Sequence, residues 1–405
     1  MDILHAKITK KSILCNIIIT FIVFQSLIER LCAVFRYFDE MLALVVLGYS
    51  ISCCIYNGKL KKNKYYIMMF ICIFLYGFIG TISSMLYQYQ SFHLSFFGAV
   101  LSLKWFSLMF GGYFVAKNVL VEKDYHGIKS GIYINVIGMM LWKAFSIVGL
   151  CGNYAVYEWD ICAKCVFFIC VLFINWENDK KDFIAIVVSV FMLLLSGRAK
   201  GYAAAMLCVF VLYFVIIKEK RIKLGQLIII GVTLIGVAWH KISFYYIVGM
   251  KGDFARYRLM KTAIDIANDY FPLGTGWSTY GSYFSVDDYS PVYYLYGIDK
   301  HHELGTMTKL YLNDNYWASV CAETGWIGMA SIIAFLVVVF LLIQKNYGME
   351  RTQINCYAAG FTIVVYMAIT TVEEMAFAQP ALACLGLLMG IVLYKINRKN
   401  NPKRG

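Results

Sequence analysis

Apolar runs long enough to cross a membrane recur along the whole 405-residue chain. A helix needs about 20 consecutive apolar residues to span the hydrocarbon core of a bilayer. Of the residues, 60% are hydrophobic and only 15% are charged, whereas a soluble domain carries about 25% charged residues. The sequence shows no strand-like alternation of the barrel type, and helices satisfy their backbone hydrogen bonds internally. The sequence therefore predicts an all-α polytopic membrane protein.

The apolar runs and the polar breaks between them predict about 12 transmembrane helices. They lie at about 12–28, 41–57, 65–86, 94–116, 130–150, 161–175, 182–196, 199–217, 225–248, 316–343, 354–371 and 379–395. Only the short segment SGRAK separates the seventh run from the eighth. We expect residues 1–405 to form a single integral membrane domain.

Basic residues concentrate on one set of alternating segments between these runs. Lysine and arginine are enriched in cytoplasmic loops, so the distribution predicts that both termini are cytoplasmic. It also accounts for most of the formal net charge of +13 without a nucleic-acid partner. The 13 cysteines fall mostly within apolar runs, where cysteine behaves as a small hydrophobic residue. We therefore expect no metal site and no disulfide framework.

The predicted orientation places residues 249–315 outside the membrane, as a large loop between the ninth and tenth spans. Long loops are usually either functional or disordered. This one is rich in tyrosine, phenylalanine and tryptophan, whereas disordered segments are poor in aromatic residues. We therefore expect a folded and functional outer loop.

A basic amphipathic helix is predicted at the start of this loop. Asp253 is expected to cap it, and Pro272 to stop it after about Tyr270. Helical spacing gives it two faces, and it places Arg256 on one and Arg258 on the other. The first face also holds Met260, Ala263 and Ala267, and the second, expected to face water, holds Thr262 and Asp265. Arg256 would then lie at the outer surface in a partly dry setting, either as a binding residue or as an arginine that snorkels from an interfacial helix.

The motif PLGTGW and several tyrosines follow this helix. Gly274 and Gly276 permit positive φ angles or close backbone approach, which suits either a phosphate-binding loop or a plain turn. Tyrosine rings suit stacking against sugars, but they equally suit a membrane interface belt. The segment DKHHE adds His301 and His302, and either imidazole has the chemistry of a general base.

Further polar residues are predicted on the same side of the membrane. Arg198 and Lys200 lie in the SGRAK turn, while Asp314, Asn315 and Glu323 lie where the chain re-enters the membrane. Ionisable residues are costly within spans and usually mark functional cavities. A cluster of fixed cations would suit an anionic substrate such as a lipid-linked phosphate or pyrophosphate, with arginine favoured because it binds phosphate in a bidentate manner.

Three local patterns within about 197–330 resemble the O-antigen and capsule polymerase family (Wzy-type), which is related to the O-antigen ligases. The first is Ser196-Gly197-Arg198 after a span. The second runs from Arg256 through Pro272, Gly274 and Gly276. The third is formed by Asp314, Asn315, Glu323, Gly325 and Gly328. The family, and the ligases especially, often carry histidine where Asp314 stands, so a histidine base at that position does not carry over.

The resemblance implies a GT-C-like membrane bundle and a metal-independent glycosyltransferase that needs no cofactor. Its substrates would be undecaprenyl-pyrophosphate-linked oligosaccharides at the outer face of the bacterial cytoplasmic membrane, and its product O-antigen of lipopolysaccharide, capsule or exopolysaccharide. A flippase and a chain-length regulator are the implied partners. The predicted catalytic residues are Arg198, Arg256, Asp314 and Glu323. The predicted substrate-binding residues are Lys200, Arg258, Gly274, Gly276, His301, His302 and Asn315.

Two other functions fit the sequence. A ligase of the same superfamily would transfer finished polymer to another acceptor. A transporter or lipid-linked oligosaccharide flippase also commonly has about 12 spans, but such proteins tend to show repeated hydropathy patterns. No internal repeat is visible in this sequence, and the large outer loop favours an enzyme.

Overall fold

The computed structural model describes residues 9–57, 64–309 and 311–399, and these residues form helices and connecting turns without a strand. The helices, numbered in chain order, are α1 Lys10–Val23, α2 Gln25–Leu31, α3 Phe38–Asn57, α4 Lys64–Tyr87, α5 Phe92–Asn118, α6 Glu122–Ile147, α7 Glu158–Ile174, α8 Lys180–Leu195, α9 Ala199–Val211, α10 Leu224–Ile242, α11 Gly249–Gly252, α12 Ala255–Asp269, α13 Tyr283–Asp287, α14 Pro291–Leu295, α15 Tyr316–Lys345, α16 Arg351–Thr370 and α17 Ala383–Lys399. The chain is thus an all-helical polytopic membrane protein, as its sequence predicts.

Each predicted apolar run coincides with a helix or with a pair of consecutive helices. Within the described ranges, eight helices are long and apolar enough to cross a membrane, and the bent pair α1–α2 would be a ninth span. That pair, which bends by 71°, covers the region where the sequence predicts the first span. Helices α7 and α8 have 17 and 16 residues, which at about 1.5 Å per residue falls short of a hydrocarbon core of about 30 Å. The predicted number of 12 spans is therefore not confirmed.

Close contact between α5 and α17 forms the centre of the bundle. A Cβ atom added to Gly112 would lie 2.1 Å from the carbonyl oxygen of Leu387, and one added to Gly390 would lie 2.0 Å from that of Met109. Small residues allow helix backbones to approach closely in membrane proteins, where packing replaces the hydrophobic effect. The backbones of these two helices are thus in close contact.

The segment between α10 and α15 folds around a small core of its own, which includes Leu259, Tyr280 and Tyr293. The Tyr280 hydroxyl donates to the carbonyl oxygen of Leu259 at 3.0 Å, and the amide of Gly281 donates to the Tyr293 hydroxyl at 2.8 Å. Both rings are fully buried. These two tyrosines therefore serve neither as a membrane belt nor as a sugar-stacking surface, and they explain why the long loop is ordered.

The predicted amphipathic helix is present as α12, but its capping differs from the prediction. Asp253 has a φ of +50° and precedes the capping position, which Phe254 occupies without a side-chain cap. Instead, the Glu303 carboxylate accepts a hydrogen bond from the amide of Ala255 at 3.2 Å. Thr262, which was expected to face water, is buried against the loop core. The cap comes from a distant part of the loop, which the local pattern does not reveal.

The PLGTGW turn is seated on a break in α15. Gly325 interrupts that helix with a φ of +61°. The break leaves the carbonyl groups of Ala322 and Glu323 available, and they accept hydrogen bonds from the amides of Thr275 and Gly276 at 2.9 and 2.8 Å. Unpaired backbone groups are costly in an apolar environment, so the turn and the break stabilise one another.

Gly276→Ala is expected to destabilise the protein. Gly276 has a φ of +97°, and a Cβ atom there would lie 2.6 Å from the backbone of Ser84 on α4. The backbone conformation alone costs about 1–3 kcal/mol for a residue with a side chain, and the clash adds to it. Thermal unfolding of the purified protein in detergent measures the effect.

Gly48→Ala is the matched control, because a Cβ atom on Gly48 meets nothing within 4 Å. Alanine also favours a helix over glycine by about 0.5–1 kcal/mol. Equal melting temperatures for the two variants would contradict the proposed fit of the turn.

Candidate functional site

An ion pair joins the beginning of α12 to the segment that enters α15. The Arg256 guanidinium lies 3.2 Å from the Asp314 carboxylate, and both side chains are partly accessible. The guanidinium carbon also lies 4.5 Å from the centre of the Tyr245 ring, at a distance where cation–π attraction is effective. The Asp314 carboxylate and the Tyr245 ring therefore hold the Arg256 side chain in place, and its guanidinium group remains partly accessible.

The surroundings of Asp314 disfavour its ionised form. Burial raises the pKa of Asp314, while the charges of Arg256 and, to a smaller extent, Arg198 lower it. Arg198 is exposed in the turn between α8 and α9, next to Gly197 with its φ of +63°. Within the described part of the chain, its guanidinium has no hydrogen-bonded or ion-paired partner. The structure thus places three of the four predicted catalytic residues in one electrostatic neighbourhood.

The short connection before the last helix contributes two carboxylates to this region. Glu374 lies 2.6 Å from the Lys200 ammonium group, and both side chains are largely buried. Burial raises the pKa of Glu374, and the charge of Glu373 acts on Asp314. Neither glutamate was predicted from the sequence, although two adjacent acids in the short polar break TTVEE between apolar runs were a visible signal.

Lys200 is therefore less available to a phosphate than predicted. It is only 2% exposed, and its charge is balanced by Glu374. The same is true of every other lysine that the structure describes as buried. The pairs are Lys104 with Asp39 and Glu40, Lys129 with Asp182 and Glu177, Lys143 with Glu158, and Lys164 with Asp160. Of the cations that were predicted to cluster, Lys200 and Arg256 are thus paired with carboxylates.

Tyr283, at the beginning of α13, shows how close several of these carboxylates are. Burial raises the pKa of the Tyr283 hydroxyl, and the charges of Glu374, Asp314, Asp39 and Glu40 act in the same direction. Asp39 and Glu40 lie in the first turn of α3, whereas Asp314 and Glu374 lie in two separate connections between helices. The tyrosine therefore marks a region where the ends of several helices meet.

An apolar pocket lies beside the Arg256–Asp314 pair. It has a volume of about 380 Å³, and its lining includes Tyr246, Met260, Asn315 and Trp317. Asn315 caps α15 by accepting from the amide of Ala318, and its own amide group donates to the Tyr246 hydroxyl at 3.3 Å. The predicted substrate-binding residue Asn315 is thus both a helix cap and part of a pocket wall.

Glu323 and the glycines of the PLGTGW turn are engaged within the protein. The buried Glu323 carboxylate accepts a hydrogen bond from the amide of Tyr280 at 3.2 Å. The amide of Gly274 donates to the carbonyl oxygen of Tyr270 and that of Gly276 to Glu323. A phosphate-binding loop needs free amide groups, so these glycines form a packed turn and not the predicted phosphate cradle.

The two histidines also differ in their surroundings. Both ring nitrogens of His301 form bonds within the loop, one to the carbonyl oxygen of Asp253 at 2.7 Å and the other to the amide of Glu303 at 3.1 Å. His302 is exposed and lies 4.0 Å from the Glu303 carboxylate. His301 therefore connects the DKHHE segment to the start of α12, and it has no free nitrogen to accept a proton while these bonds persist.

Arg258 lies deeper in the loop than predicted. It is half-buried, and its Nε atom is buried without a hydrogen-bond partner in the described part of the structure. Its charge acts on the buried Tyr280. Arg258 is thus directed towards the loop core, away from the water-facing position that helical spacing indicated.

Comparison with known proteins bears on the region that contains this site. Residues 184–333 match the O-antigen ligase family model, which confirms the resemblance drawn from the sequence motifs. Among curated proteins, none is significantly similar to the chain. The match supports a polysaccharide-related transferase, and it does not separate a polymerase from a ligase.

Lys200→Met is expected to destabilise the protein, since it leaves Glu374 buried without its counter-charge. Breaking a buried ion pair from one side costs about 3–5 kcal/mol. The cost should be smaller at pH 5.5 than at pH 8, because a carboxyl whose pKa is raised in the folded state destabilises the fold only where it must ionise. Thermal unfolding at the two pH values measures this.

Lys200→Met combined with Glu374→Gln is the control, because it removes both charges. It should recover most of the lost stability and show little dependence on pH. A double variant as unstable as the single one would show that the pair does not explain the burial of Lys200.

Proposed function

We propose that the protein is a polysaccharide polymerase that joins undecaprenyl-pyrophosphate-linked oligosaccharide repeats. The observation that carries this proposal is the Arg256–Asp314 pair together with Arg198, whose charge acts on Asp314 and which has no ion-paired partner among the described residues. All three lie within residues 184–333, which match the O-antigen ligase family. We place residues 249–315 on the outer face of the bacterial cytoplasmic membrane and both termini in the cytoplasm. The product would be O-antigen, capsule or exopolysaccharide.

The reaction is a glycosyl transfer between two lipid-linked chains. A hydroxyl oxygen of the incoming repeat forms a bond to the anomeric carbon of the growing chain, and the bond from that carbon to the pyrophosphate oxygen breaks. The hydroxyl proton passes to a base, and undecaprenyl pyrophosphate leaves with the bonding electrons. The protein must therefore supply a proton acceptor near the acceptor sugar and positive charge near the leaving group.

Asp314 is the base that the geometry favours. Burial raises the pKa of Asp314, and a carboxylate with a raised pKa accepts a proton more readily than an ordinary one. Its partner Arg256 orients the carboxylate and keeps it ionised before the reaction. Positioned general bases contribute about 10²–10⁴-fold to a rate.

Arg198 and Arg256 are the proposed pyrophosphate ligands. Arginine binds phosphate through two parallel hydrogen bonds, and Arg198 is exposed and unpaired within the described residues. When Asp314 takes up the proton, it loses the charge that balances Arg256. The guanidinium then becomes free to stabilise the negative charge that develops on the leaving group, so proton transfer and departure of pyrophosphate are linked.

Other residues have supporting roles in this proposal. The apolar pocket beside Asn315 and Tyr246 suits the isoprenoid carbons nearest the pyrophosphate. Glu373 and the Lys200–Glu374 pair shape the field around Asp314. Glu323 holds the PLGTGW turn through the amide of Tyr280, so we propose it as a positioning residue. His302, which is exposed, remains a candidate for a sugar contact.

A ligase is the second candidate, because the matched family model describes O-antigen ligases. It would use the same base and cations to transfer finished polymer to another acceptor. Asp314, which stands where ligases often carry histidine, favours the polymerase.

Arg198→Ala and Arg256→Ala should each abolish long polysaccharide chains. Removing a charge that stabilises the leaving group costs about 10²–10³-fold in rate. The surface polysaccharide of a deletion strain, complemented with wild type or with either variant, is separated on a gel. Single repeats on deletion, restored to long chains only by the wild-type gene, would support the polymerase.

Lys261→Ala is the matched control, because Lys261 is an exposed cation on the same helix as Arg256. It should restore full-length chains. If deletion of the gene instead leaves long chains that are not attached to their final acceptor, the protein would be a ligase. Normal ladders from both arginine variants would reject the proposed pyrophosphate site.

The pH dependence of polymerisation should change when Arg256 is replaced. The Arg256 charge lowers the pKa of Asp314, so Arg256→Gln should raise that pKa. Because Asp314 must be ionised to accept a proton, the acidic limb of the rate profile should move to higher pH. Rates measured with purified protein and lipid-linked repeats test this.

Asp314→Asn should lower the same rate by about 10²–10⁴-fold and remove the acidic limb. Lys261→Gln should leave its midpoint where the wild type has it. An unchanged midpoint in Arg256→Gln would show that Asp314 is not the titrating base.

A further inference from the structure

An apolar cleft lies at the end of the bundle opposite the candidate site. It has a volume of about 600 Å³ and is bounded by the last turns of α3, the first turns of α4, and parts of α5 and α17. About 18 residues of α4 separate Tyr66 in the cleft from Ser84 beneath the PLGTGW turn, which corresponds to about 27 Å of helix. The cleft is therefore nearly a membrane thickness away from the PLGTGW turn.

The cleft has a buried floor and an accessible rim. The floor includes Met69, Met109 and Leu393, which are at most 2% exposed. On the rim, Ile55 and Phe70 are 76% and 56% exposed. These rim residues belong to α3 and α4, so the cleft opens sideways between those two helices. In a membrane protein, such an opening faces lipid.

The polar groups inside the cleft are already satisfied by the protein. The Tyr66 hydroxyl donates to the carbonyl oxygen of Leu393 at 2.9 Å, and the Asn397 amide group donates to the Tyr113 hydroxyl at 2.7 Å. Ser50 donates to the carbonyl oxygen of Val46. A ligand that enters the cleft therefore meets an apolar surface, which suits a hydrocarbon chain better than a sugar or a nucleotide.

Two lysines stand at the mouth of the cleft. The Lys117 ammonium group lies 5.8 Å from the centre of the Phe114 ring, and its charge also acts on Cys54, both of which line the cleft. Lys64 begins α4, two residues before the cleft residue Tyr66. Both lysines are exposed, and neither forms an ion pair with a carboxylate of the described segments.

We propose that this cleft binds an anionic phospholipid, with one acyl chain between α3 and α4 and its phosphate at Lys64 and Lys117. The apolar surface accounts for the acyl chain. The two exposed lysines, which pair with no carboxylate of the described residues, account for the choice of an anionic headgroup over a zwitterionic one. Basic pockets between transmembrane helices are known to bind such headgroups. In the proposed orientation, the lipid belongs to the cytoplasmic leaflet, and it is distinct from the substrate, whose pyrophosphate is proposed to lie at the other end of the bundle.

Native mass spectrometry of the full chain in detergent tests the proposal. Dioleoyl phosphatidylglycerol and dioleoyl phosphatidylcholine are titrated separately, because their acyl chains are identical and only the headgroups differ. Wild type should bind phosphatidylglycerol more tightly. Lys64→Gln combined with Lys117→Gln should weaken that binding about 25-fold, at about fivefold for each lysine near a phosphate, and leave phosphatidylcholine unaffected.

Cys54→Trp should reduce binding of both lipids, because the indole fills the cleft. The charge-matched control is Lys180→Gln combined with Lys181→Gln, at the exposed start of α8, which should bind both lipids as the wild type does. An unchanged headgroup preference without Lys64 and Lys117 would overturn the proposal. An equal loss of phosphatidylglycerol binding in the α8 control would also overturn it. Displacement of phosphatidylglycerol by an equimolar amount of undecaprenyl phosphate would overturn it as well, because it would assign the cleft to the substrate lipid. Lys64 and Lys117 lie on the surface, so their substitution should not impair folding. The lipid binding of that variant therefore tests the proposal even if Cys54→Trp fails to fold.

Discussion

Ion pairing within the helical bundle determines where free charge is available. Taking a charge out of water costs several kcal/mol even in a relaxed protein, and the apolar bundle offers few compensating dipoles. Each of the five buried lysines that the structure describes lies beside at least one carboxylate, as Lys104 does with Asp39 and Lys200 with Glu374. The requirement for local neutrality therefore leaves net positive charge only where side chains reach the surface, and Arg198 in its exposed turn is such a residue.

The candidate site is built from the ends of helices, and this explains why the long loop must fold. Arg198 lies between α8 and α9, Arg256 at the start of α12, and Asp314 just before α15. Distances between such positions are set by helix packing, provided that the loop connecting them is rigid. The buried tyrosines supply that rigidity, together with the hydrogen bonds from the PLGTGW turn to the carbonyl groups at the break in α15. Arg256 is thus held at Asp314 by contacts that lie far from both residues in sequence.

The sequence predicted the features that depend on local pattern. Apolar runs located the helices, and the aromatic content of residues 249–315 indicated order. The predicted amphipathic helix corresponds to α12, although Arg258 and Thr262 do not face water as helical spacing indicated. The predictions failed where a distant residue decides the outcome. Glu303 caps α12 in place of Asp253, and Glu374 neutralises Lys200. Gly274 and Gly276 fitted either a phosphate-binding loop or a plain turn, and their amides are bonded within the protein, partly because α15 breaks at Gly325. A single sequence shows the acids and the glycines but not which partners they meet.

The two arginines at the start of α12 therefore have different surroundings, although they lie two residues apart. Arg256 keeps an accessible face beside a carboxylate whose ionised form is weakened by burial, whereas Arg258 is directed into the loop core near Tyr280. A change in the protonation of Asp314 alters the net charge around Arg256 by one unit, and in a partly buried setting such a change is poorly screened. The same burial that makes the Arg256–Asp314 pair costly to form makes it sensitive to a proton. This sensitivity is the property that the proposed base next to a departing pyrophosphate would require.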